Sequence, residues 1–247
     1  MQAAVLELAE TAQRSWQPQW TGFLDGGAQE SALGELGSLS DLKLHRWGGY
    51  EGAERQRLVL VHAEAAHDLE ALGNQDLEGL ELLGNFLFDP AETTDFRRAL
   101  CAAGIPEESL GDLWLRGDRG AQAVAHSSAA QALDGQEVDV RSVRTLIQRR
   151  PLKSLHCPPP RKARQFSCVE ASLRLDAVGS AGFGLSRSRM AELIRSGAVR
   201  INWQPTTSPS RELRCGDRVQ LHNRGELVLE KAERTQKQRW RVELTRR

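Results

Sequence analysis

The stretch Ser172–Asn202, SLRLDAVGSAGFGLSRSRMAELIRSGAVRIN, decides how this chain is read. Leu173 to Val178 has the composition of a short helix, and Gly182-Phe183-Gly184 interrupts it. Ser186 then stands where a helix N-cap is needed, since its hydroxyl can accept a backbone N–H of the following turn. From there Ser186, Met190, Leu193, Ile194 and Gly197 recur at helical spacing and predict the packed face of a second helix running to Arg195. Arg187 and Arg195 flank that face and Arg189 is displaced the other way, so their guanidinium groups must meet solvent or a ligand. Beyond the C-cap at Gly197, Val199 to Trp203 reads as an alternating strand. Arg218 to Leu221 is its natural partner after the Pro-containing turn at 205–209, and a last strand is expected at 227–229.

Charge gives this stretch its context. The 247 residues carry 33 Lys and Arg against 33 Asp and Glu, a formal net charge of zero. Cut at Gly135, however, the chain has 9 basic against 22 acidic residues before the cut and 24 against 11 after it. Twenty of those 24 basic residues are Arg, whose planar fork of donors suits phosphate, so the second half has the footprint of a nucleic-acid binder. No apolar run reaches the ~20 residues of a membrane helix, and no signal or transit segment is read at the N-terminus, so a cytoplasmic location is expected. Cys101, Cys157, Cys168 and Cys215 show no C-x-x-C spacing, which argues against zinc, and no metal or other cofactor is expected.

The acidic half reads as two small α/β units. In residues 1–70 a helix is expected at 3–16, a turn at T-G-F-L-D (21–25), a helix at 28–36 and a buried strand at Arg57 to Val61. In residues 71–150 an apolar run from Leu77 to Phe88 precedes a helix at 91–102, a turn feeding a strand at Leu110 to Leu115, and a further helix at 138–148. An RRM-like arrangement is open for this middle domain. Residues 151–169, with Arg149 and Arg150 before them and Cys157-Pro158-Pro159-Pro160-Arg161-Lys162 within, read as a stiff Pro/Arg-rich linker. The basic module then occupies 170–235 and a basic tail 236–247. The fold class is therefore α+β.

Gly48-Gly49-Tyr50 admits two readings. With Arg46, Arg55 and Arg57 close by, it could hold an unstacked base, or it could be a tight turn with Tyr50 packed on the core. The expectation is a packed Tyr50 and an Arg55 that contacts RNA.

R-L-D at 174–176, L-S-R-S-R at 185–189, L-I-R-S-G-A-V-R-I-N at 193–202 and C-G-D-R-V at 215–219 closely resemble the ribosomal protein S4-like RNA-binding domain, or αL motif. The segments stand in the family's order. The resemblance implies two helices on a small bent sheet, with RNA phosphates held by the helix pair. It carries Arg174, Ser186, Arg187 and Arg189 over as binding residues, with Arg195 on the flank; Arg200, on the strand that follows, is expected to bind RNA as well. A capped helix end amid guanidinium groups suits phosphate on physical grounds as well. T-G-F-L-D at 21–25, G-G-Y-E-G-A-E-R-Q-R-L at 48–58 and G-I-P-E-E-S-L-G-D-L at 104–113 resemble the YlmH-like family, and most closely its cyanobacterial and plastid branch named photosystem II S4 domain protein. That resemblance implies association with the large ribosomal subunit and help in rescuing stalled nascent chains. One departure stands out: Pro106-Glu107-Glu108 stands where the bacterial pattern usually has a basic residue, so an RNA contact there is not carried over.

The expected partners are structured RNA, ribosomal or transfer, and the large ribosomal subunit, with no small-molecule substrate. Two other classes stay open: an RNA-modifying enzyme, because R-L-D also occurs in pseudouridine synthases with a catalytic Asp, and a regulator of photosystem II expression or assembly, suggested by the branch name. The stretch between Asp176 and Arg247 is too short for the catalytic domain that follows the αL motif in such enzymes, so none is expected. No G-x-G-x-x-G, P-loop or H-E-x-x-H occurs, and His45, His62, His67, His126, His156 and His222 are scattered without a matched nucleophile, so no catalytic residue is assigned.

Overall fold

The computed structural model describes residues 2–37, 39–221 and 224–247, with side chains from Val5 onward; His222 lies outside them. The chain divides into two units, Met1–Pro160 and Arg161–Arg247.

The first unit opens with α1 (Gln2–Ser15), β1 (Gln19–Trp20), α2 (Gly26–Leu36), β2 (Leu42–Trp47), β3 (Arg57–His62) and α3 (Leu69–Asn74). Strand β3 is central in the antiparallel order β1-β3-β2. Its Leu58-Val59-Leu60-Val61 run is buried at every position, so both faces of the strand are covered and each needs apolar residues. Leu58 and Leu60 pack on Val5, Ala9, Ala32 and Leu36 from the first two helices. Asp25 begins α2, its Oδ1 accepting the Ala28 N–H at 2.9 Å.

There follow β4 (Leu77–Leu83), α4 (Thr93–Ala102), β5 (Leu110–Leu115), β6 (Gly120–His126), α5 (Ser127–Leu133), β7 (Glu137–Val140) and β8 (Val143–Arg150). The sheet order is β5-β6-β4-β8-β7 with antiparallel neighbours, a split β-α-β-β-α-β arrangement with β7 added at one edge. One face carries Leu80, Leu82, Ala123 and Ile147 against Phe96, Leu100 and Leu133 of the helices. In an RRM the other face of the central strands reads RNA. Here Gln122 and Val124 on that face are buried, and Phe23, Leu77 and Leu155 pack over Val124.

The helix expected at 138–148 is instead the β7–β8 hairpin. Val138, Val140, Val143, Thr145 and Ile147 are β-branched, and such residues favour the pleated backbone over the helix. The two-residue loop is pinned by Asp89, whose carboxylate accepts from Arg141 Nε at 2.8 Å and Ser142 Oγ at 2.6 Å.

The second unit contains β9 (Arg164–Glu170), α6 (Leu175–Phe183), α7 (Arg187–Arg195), β10 (Val199–Ile201), β11 (Gln204–Pro205), β12 (Arg218–Leu221), β13 (Gly225–Arg234) and β14 (Trp240–Arg246). One sheet in the order β11-β10-β12-β13-β14-β9 holds both helices over a core of Leu175, Val178, Phe183, Met190, Ile194, Val199, Ile201, Leu227, Val242 and Leu244.

Several expectations are corrected here. The end of the supposed linker is strand β9 and the supposed tail is strand β14, paired from Arg164↔Arg246 to Glu170↔Trp240. Their charged residues hide an apolar alternation, Phe166 and Cys168 on one strand and Trp240, Val242 and Leu244 on the other, that faces the core. The strand expected at 227–229 runs through Gly225–Arg234 for the same reason, since β14 lengthens its ladder. Helix α6 starts and ends later than expected: Gly182 continues it and Gly184, at φ 67°, ends it in the left-handed region. At Gly182 a Cβ would stand 2.1 Å from a Leu227 methyl, so glycine is what lets the helix reach the sheet. On α7 the buried residues are Met190, Ala191 and Ile194, with Leu193 half-buried at the edge and Ser186 exposed as the cap.

Candidate nucleic-acid interface

The 161–247 unit holds 19 Lys and Arg against 9 Asp and Glu, so it presents an excess of cationic side chains. The helix pair organises part of this charge. Asp176, in the first turn of α6, is buried. Its carboxylate accepts from Arg174 Nε and Nη2, both at 3.1 Å, and from Arg187 Nε and Nη2, both at 3.2 Å. Burial pushes the Asp176 carboxyl upward, but the hydrogen bonds and charges of Arg174 and Arg187 outweigh it and hold the group below the ordinary aspartate range. Hydrogen bonding to Asp176, followed by its charge, raises the Arg174 guanidinium.

One carboxylate against two guanidinium groups leaves a net positive charge and two forks held in fixed planes. Both arginines stay 39% and 52% exposed along their side chains, with N–H groups left over for a ligand. Ser186 places the start of α7 beside them: its Oγ accepts the Arg189 N–H at 3.2 Å, which leaves the Arg187 and Ser188 N–H groups without an intrahelical acceptor. The start of α6 differs, since Leu175 and Asp176 donate to the carbonyls of Arg211 and Pro209. Anion-binding capacity therefore concentrates at the start of α7.

Arg189 lies in the same turn but donates to Glu192 Oε2 at 2.6 Å, an exposed pair that a stronger anion can open. Arg195 is exposed in the last turn of α7, about 12 Å of helix from Arg187. Arg200 alternates with core residues Val199 and Ile201, so it projects from the sheet face away from the helices. The structure thus unites Arg174, Ser186, Arg187 and Arg189 and sets Arg195 and Arg200 apart. Asp176, weighed in the sequence only as a catalytic candidate, is the residue that joins Arg174 to Arg187. An acid two places after an arginine, in the local R-x-D pattern, was the available signal.

Arg55 is corrected. Its side chain, 18% exposed, donates to the carbonyls of Leu110 at 3.0 Å, Phe23 at 3.1 Å and Glu107 at 3.1 Å, and pairs with the Glu107 carboxylate at 3.6 Å. It ties the T-G-F-L-D turn to the G-I-P-E-E segment, and Glu107 is its protein partner there. Arg57 is likewise buried, donating to the carbonyls of Gly73 and Gln75 at the end of α3. Tyr50 is packed as expected: its ring lies 5.4 Å from that of Trp114, and its hydroxyl donates to Asp112 Oδ2 at 2.7 Å.

Among the described residues no helix is long and apolar enough to cross a membrane. Comparison with known proteins adds three findings. A relative from Bacillus subtilis (strain 168), "Ribosome-associated protein quality control protein P2", is 26% identical over 245 residues, covering 98% of this chain and 92% of the relative. The solved structure "Cell division protein ylmH from Streptococcus pneumoniae" aligns with a TM-score of 0.47 at 15% identity, over 61% of this chain and 89% of that one. Finally, residues 2–65 match the family "YlmH, N-terminal" and residues 173–219 match the family "S4 domain", so the chain carries a YlmH-type N-terminal segment and an S4 domain.

Proposed function

We propose that this protein is a ribosome-associated, cytoplasmic RNA-binding protein whose S4 domain grips RNA phosphates through Arg174, Arg187 and the start of α7. The observation that carries the reading is the Asp176 carboxylate clamped by two arginines, which presents oriented guanidinium forks beside a helix end with open N–H groups. Such a site takes phosphate without reading bases, so affinity comes from charge and selectivity from RNA shape. Ribosome association is supported by the name of the Bacillus subtilis relative, aligned over nearly the whole chain. Ribosomal or transfer RNA on the large subunit is the proposed target. Placement in the photosystem II-named branch belongs to the same proposal and rests on T-G-F-L-D, G-G-Y-E-G-A-E-R and G-I-P-E-E-S-L-G-D-L.

A binding role fits Asp176 better than nucleophilic catalysis, because its two oxygens already accept from two arginines. Sedimentation of the tagged protein through a sucrose gradient tests the reading. Comigration with large subunits, lost on raising salt, is expected. A position at the top of the gradient at low salt overturns ribosome association.

A further inference from the structure

A second group of arginines gathers at the far end of the S4 unit, away from Asp176. Arg164, the first residue of β9, sits directly opposite Arg246 of β14. Side chains so placed lie about 5 Å apart at Cβ, and like charges there are destabilising. Arg246 is half-buried and held: its guanidinium lies 5.5 Å from the Phe183 ring and donates to the Phe183 carbonyl at 3.5 Å. Arg161 joins them, its Nη1 lying 3.0 Å from where a Cβ on Gly225 would stand, and Arg224 immediately precedes that glycine. Arg161, Arg164 and Arg224 are all exposed. Burial and then the charges of Arg224, Arg161 and Arg164 hold the Arg246 guanidinium below its ordinary value, so each of the three lies within electrostatic reach of Arg246. Glu226, next to Gly225, is engaged on the neighbouring strand, where its carboxylate accepts from Arg218 and Gln220.

We propose that Arg164, Arg224 and Arg246 form a second phosphate-binding patch, through which the S4 domain holds RNA backbone at a point separate from the Asp176-centred pair. Three separate chain segments bring the exposed Arg164 and Arg224 and the half-buried Arg246 to one place. Planar donor forks clustered around one point match phosphodiester oxygens. The two contacts lie at opposite ends of α6. From Asp176 to Phe183 is about 10 Å of helix, a span that one RNA stem can bridge. The inference rests on the RNA-binding reading above and adds a second contact to it.

The test uses the full chain and a hairpin RNA with a stem of about 16 base pairs, with affinity measured across salt concentrations. Arg164→Gln/Arg224→Gln changes two exposed side chains and relieves their repulsion of Arg246, so its melting temperature should equal or exceed that of wild type. Its affinity should fall about tenfold to a hundredfold, and the slope of log affinity against log salt should become shallower by about 1 to 2, as expected on losing two phosphate contacts. Arg164→Lys/Arg224→Lys should keep the wild-type slope. Combining the Gln pair with Arg174→Gln/Arg187→Gln should multiply the two losses. If the Arg164/Arg224 Gln pair keeps wild-type affinity and slope while the Arg174/Arg187 pair loses them, the second patch is overturned and the first site stands. Loss of binding to phosphatidylserine vesicles with hairpin binding intact also overturns it, in favour of a membrane surface. If the wild-type chain fails to bind the hairpin at low salt, the RNA-binding reading fails first, and the patch with it.

Discussion

Arg187, at the start of α7, reaches across to α6 and binds both oxygens of Asp176 at 3.2 Å, so the helix that presents the guanidinium and the one that orients it are locked together. Arg174 binds the same two oxygens from the residue preceding α6.

Asp176→Asn should weaken both fold and binding. The loss of charge-assisted bonds to two half-exposed arginines should cost about 1 to 2 kcal/mol of stability, and RNA affinity should fall as the forks lose their fixed planes. The pH dependence has a definite sign. Because the Asp176 carboxyl lies below its ordinary value when folded, its contribution is present above about pH 4 and is lost as pH falls through the depressed value. Denaturant titrations at pH values near 7 and below about 4 should therefore show wild type and variant converging in acid. A constant gap between them would mean that ionisation of Asp176 is not what stabilises the helix pair.

Arg187→Ala should weaken RNA binding by about 1 to 3 kcal/mol, and Arg189→Ala by the lower end of that range. The difference follows from Glu192, which already holds the Arg189 guanidinium at 2.6 Å. Glu192→Gln should accordingly raise affinity, because it removes an acid and releases Arg189. Filter-binding or fluorescence titrations of the three variants check the order, and an unchanged affinity in Arg187→Ala would remove the helix pair from the interface.

Ile194→Ala should lower stability by about 2 to 5 kcal/mol through a cavity beneath α7. Leu193→Ala should cost less, since Leu193 is only half-buried at the edge of that core. In both, RNA binding should decline only as the domain melts. Thermal unfolding followed in parallel with RNA titration separates the two effects.

Arg55→Ala should destabilise the protein by about 2 to 4 kcal/mol, because three carbonyls lose a charged donor. RNA affinity of the folded chain should not change. A variant that melts like wild type but binds RNA more weakly would restore Arg55 to the interface.

The helix pair of the S4 unit, its serine cap and its charge were legible in the chain itself, because they rest on local signals: Ser186 before a helical period, Gly197 after it, and arginines crowded into one half of the molecule. Strand β3 was legible too, as a run of four apolar residues that only a covered strand accommodates. What stayed hidden depends on partners distant in the chain. β9 and β14 look like a basic linker and a basic tail until they meet in a ladder from Glu170 opposite Trp240 to Arg164 opposite Arg246, where their alternate apolar side chains share one core. The β7–β8 hairpin was misread for a related reason, since Arg141 and Ser142 turn the chain with Asp89 holding them from far back in the sequence. Arg55 and Arg187 look alike as letters, each an arginine in a polar stretch. Only packing separates them, because the carbonyls of Phe23, Glu107 and Leu110 surround the first, while a single buried carboxylate orients the second and leaves it open to solvent. Local periodicity is set by neighbours in the chain, whereas the surroundings of a charged side chain are set by residues that only folding brings near.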